Sequence, residues 1–96
     1  MSPTFSDRVT VAPDVLFRLL SDEAVLVNLQ TERYLGLNLV GARMWAALTG
    51  APSIQAAFDT LLDEYEVDPA ELRRDLSEFV DQLLAHHLVE ASPATL

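Results

Sequence analysis

Residues 15–38 read VLFRLLSDEAVLVNLQTERYLGLN, and the spacing of apolar residues in this stretch decides the fold. Val15, Phe17 and Leu19 recur at a spacing of two and are answered by Val25, Val27 and Leu29, which is the period of a half-buried strand. Ser21, Asp22 and Glu23 make a first polar break and Gln30 to Glu32 a second. Arg33 to Leu37 then follow as a third strand. Connections this short cannot make the crossover that parallel neighbours need, so the three strands form an antiparallel meander. The Thr31-Glu32 turn lacks the Gly or Asn of a tight primed turn, and its geometry is not fixed by its residues.

Beyond the third strand the period changes. Asn38 is placed to cap a short buried helix over Leu39 to Leu48, with Met44, Trp45 and Leu48 on one side and Gly50 to end it. Trp45 is assigned to the core beneath the sheet. A second helix starts near Ser53 and sets Ile54, Ala57, Phe58, Leu61, Leu62 and Tyr65 at i, i+3, i+4, i+7, i+8 and i+11. A third starts at Asp68, with Pro69 in the first helical position and Glu71 spaced to reach back to the cap. Its apolar residues are Leu72, Leu76, Phe79, Val80, Leu83, Leu84 and Leu88, and they sweep well over a third of the helix circumference. Either this helix lies between the sheet and the other two helices, or one edge of it lines a groove that an extended segment can enter.

Strands followed by helices, with no repeat or linker, predict a single α+β domain over residues 8–90. It holds a three-stranded antiparallel sheet and a three-helix bundle, with 1–7 and 91–96 as flexible termini. A sheet this small exposes an edge. The third strand is the candidate, because Gly36 inside it marks either a close approach of another backbone or a bulge or bend.

Composition narrows the function. Ninety-six residues, half of them hydrophobic, suffice for one core. With no Cys there is no disulfide framework, thiolate zinc site or cysteine nucleophile. No apolar run approaches the roughly 20 residues that cross a bilayer, and residues 1–10 have neither the basic start nor the apolar stretch of a signal peptide, so the chain is expected to be cytoplasmic. The formal charge of −9 repels phosphate backbones and anionic lipid, which argues against nucleic-acid and membrane partners. Ten of the 15 acids fall between Asp59 and Glu90, against only Arg73 and Arg74 there. They form either a solvated helix face or a field that steers a cationic peptide.

Catalytic arrangements are scarce. His86 and His87 are adjacent, so on a helix they point about 100° apart and cannot clamp one metal together. Ser and Thr are scattered with no neighbouring His, and three glycines form no phosphate loop. The expectation is a binding module with no cofactor and no metal.

The chain also resembles a known family. Val15-Leu16-Phe17-Arg18, Val25-Leu26-Val27-Asn28-Leu29, Arg33-Tyr34-Leu35-Gly36-Leu37-Asn38 and Gly41-Ala42-Arg43-Met44-Trp45 are similar to the family named for the D protein of pyrroloquinoline quinone biosynthesis. The likeness continues through Tyr65, Val67-Asp68, Arg74-Asp75-Leu76, Phe79-Val80, Leu83-Leu84 and Leu88-Val89. It implies a winged-helix-like RiPP recognition element, an adaptor that holds the leader of a ribosomally made precursor peptide while other enzymes act on its core. The chain lacks the Leu-Leu-Tyr-Pro-Glu-Gly run of the quinone-pathway member and looks more like the free-standing recognition proteins of lasso-peptide clusters. Those work with a separate leader peptidase and a later cyclase. The resemblance further implies that the leader adds as an antiparallel strand to the third strand and lies against the last helix. By position, Glu32, Arg33, Tyr34, Leu35, Gly36 and Leu37 would supply the edge, and Leu72, Asp75, Leu76, Phe79, Val80 and Leu83 the helical wall. Asp75 would meet the leader or, alternatively, pair with Arg43 or Arg33.

Two rival readings use the same architecture. One is a DNA-binding winged helix, against which the acids of the last helix argue. The other is a dimerisation module that pairs its exposed strand edge with a second copy.

Overall fold

A computed structural model describes residues 4–93. The elements run β1 (Asp7–Val11), β2 (Val15–Leu19), β3 (Glu23–Asn28), β4 (Arg33–Asn38), α1 (Leu39–Gly50), α2 (Ile54–Glu64), α3 (Pro69–Ala85) and β5 (Val89–Pro93). The α+β class is as the sequence predicts: β2, β3 and β4 form an antiparallel sheet in that order, followed by three helices. A second, two-stranded sheet of β1 and β5 is additional. Within it Asp7 pairs with Pro93 and Arg8 with Ser92, so residue 7 and residues 91–93, expected among the flexible ends, are paired in a sheet. Residues 1–3 and 94–96 lie outside the described residues. The small sheet is held by its apolar face, where Val9 and Val89 are buried. Just before it, the Phe5 ring meets Phe58 edge-on at 5.9 Å and lies 4.2 Å beneath the Arg73 guanidinium.

The meander adopts a phase one residue away from the expected one. The register pairs Val15 with Asn28, Phe17 with Leu26 and Leu19 with Ala24. Ala24, Leu26 and Asn28 are therefore the buried set, while Val25 and Val27 face the other way and Leu29 is exposed. A period of two could not choose between the faces because both are apolar. The helices choose: Phe17 stacks on the buried Trp45 of α1 at 6.4 Å and 9°, and Leu35 and Leu37 of β4 join the core on the same face.

Asn28 explains how the β3–β4 hairpin closes without Gly or Asn at its tip. Its buried Oδ1 accepts from the backbone N–H groups of Gln30 (2.9 Å) and Thr31 (3.2 Å). Glu32 takes a left-handed conformation, φ 61°, with its N–H donating to the Asn28 carbonyl at 2.8 Å. The Asn28 amide Nδ2 also donates to the His87 carbonyl at 2.6 Å, tying the hairpin to the far end of α3. There the expected helix is shorter than its apolar pattern. His87 adopts φ 57°, and the N–H of Leu88 donates to the Leu83 carbonyl at 2.9 Å while that of His87 donates to Leu84 at 3.1 Å. This is a Schellman ending. It turns Leu88 back into the core as the lead-in to β5.

The helix starts follow their caps. Asn38 Oδ1 accepts from the Gly41 N–H at 2.8 Å, Ser53 Oγ from Ala56 at 3.1 Å and Asp68 Oδ1 from Ala70 at 3.0 Å. Glu71 does not complete a capping box; its side chain makes no hydrogen bond back to Asp68, and it lines a cavity instead. α1 packs on α2, β1, β3 and β4, and α3 on α2 and β5. α1 and α2 are also joined by the Arg43–Glu64 ion pair, whose Nε contact is 2.8 Å. That bond holds the Glu64 carboxyl below the usual carboxylate range and raises Arg43.

Candidate peptide-binding groove

β4 is an edge strand. β3 pairs with one side of it, and its other row of N–H and C=O groups has no strand neighbour. Across from this free edge lies α3, and the gap between them is an open cavity of about 320 Å³. Gly36, Leu37 and Asn38 line it from β4, Val40, Gly41 and Met44 from α1, and Asp75, Glu78, Phe79 and Gln82 from α3. The gap exists because α1 leaves β4 with no intervening loop. Asn38 is at once the last strand residue and the helix cap, so the first turn of α1 is laid across the end of the strand. Gly41 allows that close approach: a Cβ there would come within 3.3 Å of the Leu37 Cβ. Behind Val40 and Met44 a second, mostly apolar cavity of about 170 Å³ opens, lined also by Leu61, Tyr65, Val67, Glu71, Leu72 and Asp75. Val40, Met44 and Asp75 border both chambers.

The residues singled out by sequence fall into three groups. Arg33, Tyr34, Leu35, Gly36 and Leu37 form β4 as expected, with Leu35 and Leu37 toward the core and Tyr34 and Gly36 on the opposite face. Glu32 belongs to the preceding turn and not to the strand, because its left-handed backbone closes the hairpin. Of the α3 residues, Asp75 and Phe79 line the open groove and Leu72 and Asp75 the apolar chamber. Leu76, Val80 and Leu83 are buried in the core and line neither cavity. On a helix that packs on α2 and β5 and faces the groove beside them, the packed stripe and the groove edge are adjacent faces, and a broad apolar arc does not separate them.

Sequence reasoning missed Asn38, Val40, Gly41, Met44 and Gln82 in the groove, and Leu61, Tyr65, Val67 and Glu71 in the side chamber. Leu39 and Val40 open α1 as apolar residues yet are 58 % and 52 % exposed, more than an ordinary amphipathic helix needs, and only the structure reveals that exposure.

The groove is acidic on its helical side. Asp75 and Glu78 stand over it and Glu71 over the side chamber. Arg43 pairs with Glu64 and not with Asp75, whose nearest cation is Arg74 at 3.6 Å, an exposed neighbour in sequence. Such a pair neutralises little of the local field. The arrangement suits an extended peptide, with main-chain partners along β4, apolar side-chain space between β4 and α3, and anionic rims. Among the described residues, no helix is long and apolar enough to cross a membrane. There is also no group of three His, Cys, Asp or Glu residues among them that could hold a metal ion.

Comparison with known proteins identifies the fold and the family. Among solved structures, the chain is similar to TbiB1, a structure of TbiB1 in complex with the TbiA(beta) leader peptide, at 35 % identity over 84 % of this chain and 94 % of that one, with a TM-score of 0.74. It shares its fold with lasso peptide synthetase B1 complexed with the leader peptide, at 21 % identity, 86 % and 98 % coverage and a TM-score of 0.74. No curated protein matches the sequence. The family described as coenzyme PQQ synthesis protein D (PqqD) matches residues 23–89, from the first residue of β3 to the first of β5. The chain belongs to that family.

Proposed function

We propose that this chain is a non-catalytic recognition protein that binds the leader segment of a ribosomally synthesised precursor peptide, of the lasso-peptide kind. The leader adds antiparallel to β4 and sets alternate side chains into the groove against α3. The observation that carries this reading is the free β4 edge facing an open cavity walled by Asp75 and Phe79, in a chain that resembles TbiB1 over most of its length. Main-chain pairing gives affinity that tolerates sequence variation, and the spaces beside Leu37, Met44 and Phe79 select side chains. Having bound the leader, the protein presents it in the cytoplasm to a separate leader peptidase and then to a cyclase. The DNA-binding alternative meets an α3 surface carrying Glu71, Asp75, Glu78 and Asp81, which repels a phosphate backbone.

The test is fluorescence anisotropy with a fluorescein-labelled synthetic peptide of the leader encoded beside this chain's gene. Tyr34→Pro removes an N–H on the free side of β4, the N–H groups of Leu35 and Leu37 being turned to β3, and is expected to abolish binding. Circular dichroism must show that the variant is folded; N-methylated leader peptides serve as the second probe if it is not. A folded Tyr34→Pro protein that binds like the parent would refute strand addition at this edge.

A further inference from the structure

Gly36 is the glycine of the three-stranded sheet, and nothing inside the protein calls for it. No glycine among the described residues has a positive φ, and a Cβ added at Gly36 would meet no atom within 4 Å. Gly41 differs, since there a Cβ would crowd Leu37. A strand glycine weakens pairing and leaves its backbone uncovered, so one without a packing role is a cost to the free protein.

The register shows where the gap opens. Gly36 pairs with Val25 and Val25 with Arg18, forming one row on the face turned away from the helices. The adjoining row is Leu16, Val27 and Tyr34, with Tyr34 70 % exposed. This outer face is thus lined with side chains up to the free edge of β4, where Gly36 leaves a notch.

We propose that this notch seats an aromatic side chain of the bound leader, carried by the residue that pairs opposite Gly36. This rests on the strand-addition reading above and extends it to the other face. Leader residues beside Leu35 and Leu37 point into the groove, and the residue between them points outward, over Gly36. Strands lie about 4.8 Å apart, so a side chain on the added strand must cross the whole width of β4 to reach Val25. A flat ring spans that gap and covers the glycine backbone, while a branched aliphatic group ends near its own strand. Aromatic residues placed across from glycine restore the packing that the glycine forfeits, and aromatic–valine contacts across strands are favourable. Arg18, at the far end of the row, makes no hydrogen bond or ion pair among the described residues, and a guanidinium there favours a π face. The groove and the notch would then read consecutive leader residues from opposite faces of one strand.

The experiment is a set of anisotropy titrations of the parent and Gly36→Val. The probes are the labelled leader peptide described above and versions of it with each Phe, Tyr or Trp changed singly to Leu. Gly36→Val is expected to fold with an unchanged or higher thermal midpoint, because its side chain enters open space in a strand. It should bind the unaltered leader about tenfold or more weakly. One aromatic-to-Leu peptide should lose a similar factor on the parent but lose little further on Gly36→Val, which marks that residue as the notch's occupant. Equal losses for every peptide, no loss with Gly36→Val, or tight binding of a leader with no aromatic residue would overturn the notch while leaving strand addition standing. Failure of the parent to bind any of the peptides would overturn both.

Discussion

Asn28→Ala cuts a side-chain hydrogen bond between the β3–β4 hairpin and the end of α3, and its cost can be worked from three hydrogen bonds. The Nδ2 donor to the His87 carbonyl is lost, as is the Oδ1 acceptor for the Gln30 and Thr31 amides. The turn amides lie near solvent and recover part of their bonding from water, whereas the bond to His87 is short and comes from a residue only 4 % exposed. At about 0.5–1.5 kcal/mol each, the expected loss is about 2–4 kcal/mol. That is a large share of the roughly 5–15 kcal/mol that holds a small domain folded. Urea unfolding followed by Trp45 fluorescence measures it. Asn28→Asp sharpens the test, since the new carboxylate faces the His87 carbonyl and can donate only when protonated. Its folded-state pKa is therefore raised, so its deficit is greatest at neutral pH and shrinks as pH falls through that raised value. Leader affinity should fall with both variants, because the hairpin that bears one end of β4 is no longer fixed to the helix across the groove. Asn28→Ala within about 0.5 kcal/mol of the parent would refute the reasoning.

Trp45→Ala removes a buried ring stacked on Phe17 and should cost about 3–5 kcal/mol in a thermal or urea melt; a stable variant that lost only leader binding would move Trp45 into the site. Asp75→Asn should leave stability nearly unchanged, since its pairing with Arg74 is exposed. It should lower leader affinity by about 1–3 kcal/mol through faster dissociation if the carboxylate touches the leader, whereas a field effect slows association and fades with salt, as stopped-flow at two ionic strengths will show. Glu64→Gln removes a carboxyl whose folded pKa Arg43 holds low. The pair's contribution is present above the ordinary carboxylate pKa and is lost as pH falls through the depressed one, so parent and variant should differ in urea midpoint at pH 7 and converge in acid, once the pH is below the depressed value.

The sequence carried the meander, the three helices and their caps because each is signalled locally: a period of two between polar breaks, Asn38, Ser53 and Asp68 one step before apolar runs, and Pro69 in the first turn. Long-range pairing was not legible. β1 and β5 are short, separated by nearly the whole chain, and recognisable only once Val9 and Val89 share a face. The phase of β3 was hidden because Leu16, Val25, Val27 and Tyr34 make its solvent face as apolar as its buried one. The end of α3 was hidden because a histidine, and not a glycine, takes the left-handed position that stops it.

The same limit decided which parts of the site could be read. Leu76, Val80 and Leu83 share the apolar arc of α3 with Leu72 and Phe79, yet only the latter two border open space. What separates them is the path of α1, set by two residues that carry no functional signal of their own. Asn38 ends β4 and caps α1 within one residue, and Gly41 lets the helix turn approach Leu37, so that Val40 and Met44 project between the strand end and α3. A longer β4–α1 connection would let α1 swing toward α3 and close the gap. A bulkier residue at Gly41 would push α1 away from β4 and remove one wall. The width of the groove is therefore set jointly by the strand–helix junction, which places α1, and by α2 and β5, which hold α3; the groove's chemistry, from Asp75, Glu78 and Phe79, acts because these packings leave α3 across from the β4 edge.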